Sequence, residues 1–339
     1  MSTSPTILVT GGAGYIGAHA CKALAGDGFL PICLDDLSSG QREAVRWGPL
    51  EVGRIQDSGF LDAVLARWRP VGALHFAASI SVAESVSDPL TYWTNNVGGT
   101  LSVLAAMRKA GMRHIVLSST AAVYGSSPVE GSLSETAPLA PDNPYGQTKR
   151  AAEAALADCA RAHGMQATAL RYFNAAGGDP EGEIGESHDP ETHLIPLAID
   201  AALGRRGPLS VFGTDYPTPD GTAVRDYIHV DDLVTAHILA LRRMMERPKD
   251  APGSFTAYNL GSGEGASVLQ VLRAVEAVLG RAVPHHTGPR RAGDSPVLVA
   301  AIDKARAELG WSPAHSDLHT IVRDAALWRA RGTGSAAGR

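Results

Sequence analysis

The stretch TILVTGGAGYIGAHA, residues 6–20, constrains this chain more than any other. Five β-prone residues run into a cluster of small ones, and an alanine-rich helical pattern follows. Gly12, Gly14 and Gly17 satisfy G-x-G-x-x-G, with Gly11 in addition. After a strand and before a helix, such glycines allow a tight turn. They also let backbone N–H groups approach a pyrophosphate at the helix N-terminus. The chain must therefore supply a sheet for that first strand to enter.

The rest of the N-terminal half provides one. AHACKALAGDG reads as a helix ending at Gly28, LPICLDD as a second strand, VGALHFAA as a buried strand, NNVGGTLSVLAAMRKAG as a long helix and HIVLSST as a further strand. Near-continuous apolar strands alternating with helices predict an α/β fold, a doubly wound parallel sheet covered on both faces. The texture changes after ALRYFNAAG, and residues 175–222 are rich in Gly, Pro, His and acid. RDYIHVDDLVTAHILALRRMME returns to a strand and a helix. The expected organisation is a dinucleotide-binding Rossmann unit over 1–174, rejoined by 224–247. A smaller mixed α/β unit is expected over 175–223 and 248–333, and a loose tail over 334–339.

Composition narrows the class of partner. Of 339 residues, 44% are hydrophobic and 19% charged, as in ordinary globular proteins, and the net charge of −5 leaves no basic footprint for nucleic acid. Three cysteines, Cys21, Cys33 and Cys159, form neither a disulfide framework nor a metal pattern. The twelve histidines are scattered among loops with no metal-ligand spacing, so no metal is expected. No apolar run reaches the roughly 18 residues that cross a bilayer, and the N-terminus lacks a leader pattern. A cytoplasmic, reducing setting is the expectation.

The second strand ends in acid at Asp35, the distance past the glycines at which a carboxylate meets both adenosine ribose hydroxyls. A carboxylate there repels a 2′-phosphate, which favours NAD over NADP. VLSST places Ser118, Ser119 and Thr120 at a strand's carboxyl end, where ligands bind in such sheets. YGQTK then sets Tyr145 and Lys149 four residues apart, on one helix face. A free phenol has a pKa near 10. An ammonium and a positive nicotinamide ring would both favour the phenolate, making the pair a proton acceptor. Lys149 would also hold the nicotinamide ribose, and Thr120 would bond the reacting hydroxyl.

TGGAGYIG, STAAVYG, YGQTK and LRYFN together resemble the extended short-chain dehydrogenase/reductases. YPTPDGTAVRDYIHVDDL and PRRAGD are similar to the UDP-glucose (UDP-galactose) 4-epimerases of that group. The resemblance runs from about Ile7 to about Trp311. It implies NAD as cofactor, a UDP-sugar as substrate, and Tyr145, Lys149 and Thr120 as the catalytic set. On the cofactor side it implies Gly11, Gly14, Tyr15, Ile16, Gly17, Asp35, Ile55, Phe76, Ala77, Ala78, Asn95, Ser118 and Tyr172, beside Tyr145 and Lys149. For the nucleotide it implies Asn174 and the arginine forks of Arg225 and Arg291 on the diphosphate. Leu194, Val211 and Phe212 would line the uridine site, and Asp294 would accept from its ribose. Asn95 would support the cofactor ribose or the Tyr–Lys helix, against a plain helix cap.

Related 4,6-dehydratases carry an Asp-Glu pair just after the threonine, and decarboxylating relatives a glutamate nearby. Here Ala121 and Ala122 stand in that place. What remains is oxidation at C4, rotation of the keto sugar and return of hydride to its other face. UDP-N-acetylhexosamines or UDP-pentoses are alternative substrates. A cofactor-releasing nucleotide-sugar reductase, or a dinucleotide sensor without chemistry, are alternative activities. Three positions depart from the family pattern. Arg54 stands where an adenine-binding aspartate is usual, with Asp57 nearby. Ile80 replaces a lysine, leaving Ser79 and Ser81. Leu298 occupies the position that sets room around the sugar C2 substituent. The small faces of the two long alanine-rich helices predict a homodimer.

Overall fold

The computed structural model describes residues 4–126, 131–291 and 294–331, so the expected tail at 334–339 lies outside the described residues. In chain order the strands and helices are β1 (Thr6–Thr10), α1 (Tyr15–Gly26), β2 (Leu30–Asp35), β3 (Leu50–Val52), α2 (Ser58–Trp68), β4 (Gly72–His75), α3 (Val82–Ser87) and α4 (Pro89–Tyr92). A π-helical turn, Trp93–Gly98, leads into α5 (Gly99–Ala110), then β5 (His114–Ser118), α6 (Pro144–His163), β6 (Gln166–Tyr172) and β7 (Asn174–Ala176). The remainder is α7 (Leu194–Ala202), β8 (Leu209–Phe212), β9 (Val224–His229), α8 (Val230–Met245), β10 (Ser254–Leu260), β11 (Gly265–Ser267), α9 (Val268–Leu279), β12 (His285–Gly288), β13 (Val297–Leu298), α10 (Asp303–Leu309) and α11 (Leu318–Arg331).

Seven strands form one parallel sheet in the order β10-β6-β5-β4-β1-β2-β3. Its alternation explains the unbroken apolar strands. Ile7 and Val9 face a core shared with α1 and α8, whereas Leu8 faces a second core under α2, α5 and α6. Both sides are buried, so every strand position favours an apolar residue.

The chain order of the two units differs from expectation at two strands. β10 is the edge of the seven-stranded sheet, although the sequence reading placed its residues in the second unit. Its pairing with β6 is seven residues long, Ser254–Leu260 against Gln166–Tyr172, and no local pattern announces a partner so distant in sequence. β9 does not rejoin that sheet. It pairs with β7, β11 and β13 instead, and only α8 returns to pack on α1. A third core, built on α7, α9 and α11 with Val211 and Tyr227, holds the remaining residues together.

Candidate active site at the carboxyl edge of the sheet

The glycine turn is built by close approach. Gly11 has φ +73°, and a Cβ there would lie 2.6 Å from the Ala77 nitrogen; one on Gly17 would lie 2.0 Å from the Gly11 carbonyl oxygen. Helix α1 starts at Gly14 with no side-chain cap, which leaves its backbone N–H groups for an anion. Asp35 ends β2 and is 8% exposed. Its two oxygens accept from Ala13 N at 3.0 Å and Leu37 N at 2.9 Å, so the carboxylate is aimed by the loop it borders. Burial raises its pKa against those two bonds. These features fit a dinucleotide: an open anion cradle, then a buried carboxylate one strand away.

Around this turn the other cofactor-side residues fall into place unevenly. Phe76 packs on the His237 ring at 4.8 Å, and Ala77 N donates to the Thr10 carbonyl at 3.1 Å. Ala78 is half-buried in the same loop, and Ile16 packs against the core beneath α1. Ile55 is buried at the foot of α5, where a Cβ on Gly99 would strike it. Tyr15 turns its hydroxyl away to the Gly177 carbonyl, 2.9 Å, and fastens the cofactor turn to the second half of the chain.

The tyrosine–lysine pair owes its position to the start of α6. Asn143 caps the helix by accepting from Gly146 N at 2.9 Å, and Pro144 occupies the first turn. A Cβ on Gly146 would meet the Ala122 carbonyl oxygen at 2.5 Å, so glycine lets α6 lie directly against the turn that carries Thr120. Thr120 itself accepts from Ala122 N at 3.1 Å. Tyr145 and Lys149 are 8% and 5% exposed. The Lys149 ammonium donates to the Ser118 carbonyl at 2.8 Å, and Ser118 Oγ lies 2.7 Å from the Tyr172 hydroxyl. Tyr145, Lys149, Thr120, Ser118 and Tyr172 are thus assembled at one strand end.

Burial governs their protonation. It pushes the Tyr145 phenol well above its ordinary value, with Tyr172 adding to the rise and a hydrogen bond from Thr120 opposing it. Burial also lowers Lys149 to about 8, while Glu153 pulls it back up. The sequence reading expected lysine to ease ionisation of the tyrosine; in this arrangement burial dominates, and Thr120 is the group that opposes it.

Asn96 and a charged group beneath the site escaped the sequence reading. Asn95 lies inside the π-helical turn rather than capping a helix, and it bonds Gln56 and Ser79. The tie to the Tyr–Lys helix comes from its neighbour: Asn96 Nδ2 donates to Thr148 Oγ1 at 3.1 Å and to the Ser79 carbonyl at 3.0 Å. The extra residue of a π turn rotates the face by one position, which NN in sequence cannot reveal. The second group lies beneath the site. Glu153 accepts from Ser119 Oγ at 2.5 Å and from the Arg171 guanidinium at 2.6 Å; Arg171 also donates to the Tyr124 hydroxyl at 2.9 Å, which donates to Asn259 at 2.6 Å. Glu153 sits one further turn along the face of Tyr145 and Lys149, a spacing visible in YGQTKRAAE.

In the second half, Arg225, Arg291 and Asp294 are brought together. Asp294 lies 3.3 Å from Arg225 and 2.9 Å from Arg291, whose guanidinium also sits 5.2 Å over the Phe212 ring. Phe212 is 40% exposed, whereas Val211, next on the strand, buries its side chain in the third core. Strand alternation sends the Val211 side chain inward, so of the two residues expected to flank a base only Phe212 presents its side chain outward. Leu194 opens α7, and the Asn174 amide donates to the Asp226 carbonyl at 2.9 Å. Leu298 pairs beside Arg225 and packs on the Val123–Tyr124 cluster.

The departures from the family pattern acquire partners. Arg54 lies 3.6 Å from Asp36 on the surface. Asp57 is committed to capping α2, and Ser81 to capping α3. Ser79 N donates to Asn96.

Residues 7–261 match the family described as NAD dependent epimerase/dehydratase family. The chain belongs to that family. It is 52% identical to the UDP-glucose 4-epimerase of Rhizobium leguminosarum bv. trifolii over 326 residues, 96% of this chain and 98% of the relative. The crystal structure of UDP-glucose 4-epimerase from Brucella ovis in complex with NAD superimposes with a TM-score of 0.92 at 48% identity, over 95% of this chain and 98% of the other. That of the Bifidobacterium longum enzyme in complex with NAD+ and UDP gives 0.89 at 33% identity, over 97% and 99%. The family's seven-stranded parallel architecture is therefore shared along nearly the whole length. No helix among the described residues is long and apolar enough to cross a membrane.

Proposed function

We propose that this chain is an NAD-dependent epimerase that inverts C4 of a UDP-hexose, interconverting UDP-galactose and UDP-glucose through a 4-keto sugar. One observation carries it. Thr120, Tyr145 and Lys149 converge at the carboxyl end of β5 beside a dinucleotide cradle, while Ala121 and Ala122 leave no acid to divert a keto sugar. The likeness to NAD- and UDP-bound 4-epimerases supports the same reading.

Gly11, Gly14, Gly17 and the first turn of α1 would hold the pyrophosphate, Asp35 the adenosine ribose, and Lys149 with Ser118 and Tyr172 the nicotinamide end. When bound, NAD supplies a ring that takes up and returns a hydride, and a positive charge that favours phenolate over phenol. Tyr145 accepts the proton of the sugar 4-hydroxyl and gives it back on the opposite face. Thr120 orients that hydroxyl. Lys149 carries the fixed positive charge next to the phenol. Arg225 and Arg291 hold the diphosphate, Asp294 the uridine ribose, and Phe212 the uracil face. Asn174 and Leu194 complete the nucleotide site. Tight hold on the nucleotide and loose hold on the hexose let the keto sugar turn over.

The test is conversion of UDP-galactose to UDP-glucose by purified protein with bound NAD confirmed, with UDP-N-acetylgalactosamine and UDP-xylose alongside. Absence of conversion by loaded protein defeats the reading, and stoichiometric NADH release would favour a reductase. We also assign the protein to the cytoplasm and to a homodimer through α5 and α6. Leu90, Trp93 and Leu101, 77%, 39% and 49% exposed, form an apolar margin there. A monomer mass by light scattering at micromolar concentration would contradict it.

A further inference from the structure

Although the sequence shows no metal-ligand spacing, the loop ahead of α7 gathers four ligating side chains. The ligand atoms of Glu186, His188, Glu191 and His193 all lie within 4.8 Å of one another. We propose that this loop is a structural zinc site, with two imidazole nitrogens and two carboxylate oxygens as ligands.

Two of the spacings bracket that of a small tetrahedral ion. Zinc bonds of about 2.0–2.1 Å keep ligand atoms about 3.3 Å apart. His188 Nδ1 lies 3.0 Å from Glu186 Oε1 and 3.9 Å from Glu191 Oε1, on either side of that value. His193 Nδ1 also contacts Glu186 Oε1. The two rings stand at 89° with centroids 5.2 Å apart, so their nitrogens converge without stacking. Glu186 is 4% exposed. Among the described residues, the two imidazoles are the only side chains bonded to this buried carboxylate, and a zinc ion would take the place of their protons as its positive partner; a nitrogen–oxygen set of this mixture suits zinc better than magnesium or calcium.

A second acidic cluster in the same half gives the contrast. Asp179, Glu181 and Glu183 also lie close together, but the Lys22 ammonium sits among them at 2.8, 2.8 and 2.7 Å. That cluster has its cation. At the histidine loop, Arg329 reaches only the outer oxygen of Glu191 at 3.4 Å, and its shorter bond, 2.9 Å, goes to Asp200. The inner oxygen of Glu191 is oriented by Thr192 N and His193 N, at 2.9 and 3.0 Å, as outer partners orient a ligating carboxylate.

The loop's neighbours give the ion its role. His188 meets the edge of Tyr15, the first residue of α1, at 6.3 Å. Trp328 of α11 donates to the Glu186 carbonyl at 3.0 Å, and the residue after His193 opens α7. An ion here would fasten the start of the cofactor helix, the start of α7 and the C-terminal helix to one point.

The test uses untagged full-length protein expressed with zinc in the medium, dialysed and assayed by inductively coupled plasma mass spectrometry. About one zinc per chain is expected, falling at least tenfold in His193→Gln and in Glu186→Gln. Stripping with pyridine-2,6-dicarboxylate should lower Tm by several degrees, Zn2+ should restore it and Mg2+ should not, while His193→Gln should show no response. If Glu186→Gln does not fold, His193→Gln, at the exposed edge, decides alone. Zinc below a tenth of an equivalent with no Tm response, or equal zinc in the variants, would overturn the assignment; the imidazoles would then be simple donors to Glu186.

Discussion

The carboxyl end of β5 and the proposed nucleotide end of the second half use charge in opposite ways. Behind Tyr145 the charged side chains are buried: Lys149 is 5% exposed, Glu153 3% and Arg171 4%. Around Phe212 the charges are less deeply set, and the Arg291 side chain is 64% exposed while holding Asp294. In the first region desolvation sets protonation and every donor is committed to a specific oxygen. In the second the two arginines share one aspartate as their ionic partner, which they can exchange for a diphosphate. The proposed chemistry calls for the first arrangement, and release of product for the second.

The largest expected effects follow from removing the buried pair. Tyr145→Phe should lower kcat by about a thousandfold or more, since no other hydroxyl occupies the proton-accepting place. A loss under tenfold would break the reading of this region as the chemical one. Lys149→Met should lower kcat comparably and yet stabilise the NAD-stripped chain. The folded pKa, about 8, lies below the ordinary 10.5, so the folded chain binds fewer protons between those values and stability rises with pH across that window. Below pH 8 the full cost of burying the ammonium, about 3 kcal/mol, is present. Methionine removes it but leaves the Ser118 carbonyl unpaired, for a net gain of about 2 kcal/mol at pH 7 that shrinks above pH 8. Urea titrations at pH 7 and pH 10 check the sign, and a loss at pH 7 contradicts it.

Glu153 sharpens the same contrast with a smaller effect on rate. Glu153→Gln leaves the Arg171 guanidinium buried without its carboxylate, at a cost of about 3–5 kcal/mol. It also removes the charge that raises Lys149, so the alkaline fall of kcat should move to lower pH. Ser119→Ala keeps that charge and deletes only the 2.5 Å bond to Glu153, so its pH profile should keep the original alkaline limb. Equal slowing in both variants with an unmoved limb would reduce Glu153 to scaffold.

The same division decides how much was legible in the sequence. The glycine turn, Asp35 and the Tyr–Lys pair depend on local spacing, on helix and strand periodicities and on one cap, all of which are written in contiguous residues. β10 could not be placed, because its partner lies nearly ninety residues earlier and its pairing depends on the finished sheet. Asn96 was missed because a π turn shifts the face by a residue, and the inward phase of Val211 is set by its packing on α7, α9 and α11. The Glu153–Arg171 pair needed only one more helical turn of attention, for its spacing was on view. The histidine loop was read as scatter because EXHXXEXH has no helical or strand period, and only folding converges it.

The mildest perturbation separates the two arginines of the nucleotide end. Arg291→Ala removes a fork whose fixed contacts are one aspartate oxygen and the Phe212 ring, so KM for UDP-galactose should rise about tenfold with kcat nearly unchanged. Arg225 is more deeply set: it donates to the Val224 and Ser295 carbonyls at 2.8 and 2.9 Å as well as to Asp294. Arg225→Ala should therefore raise KM and also loosen β9 against β13, lowering Tm by a few degrees where Arg291→Ala lowers it little. Added salt should raise KM for the native chain, because accessible ion pairs are screened, and should leave kcat alone, because buried ones are not. Were kcat to fall with salt as steeply as kcat/KM, the accessible charges would be taking part in the chemical step, and the division between the two regions would not hold.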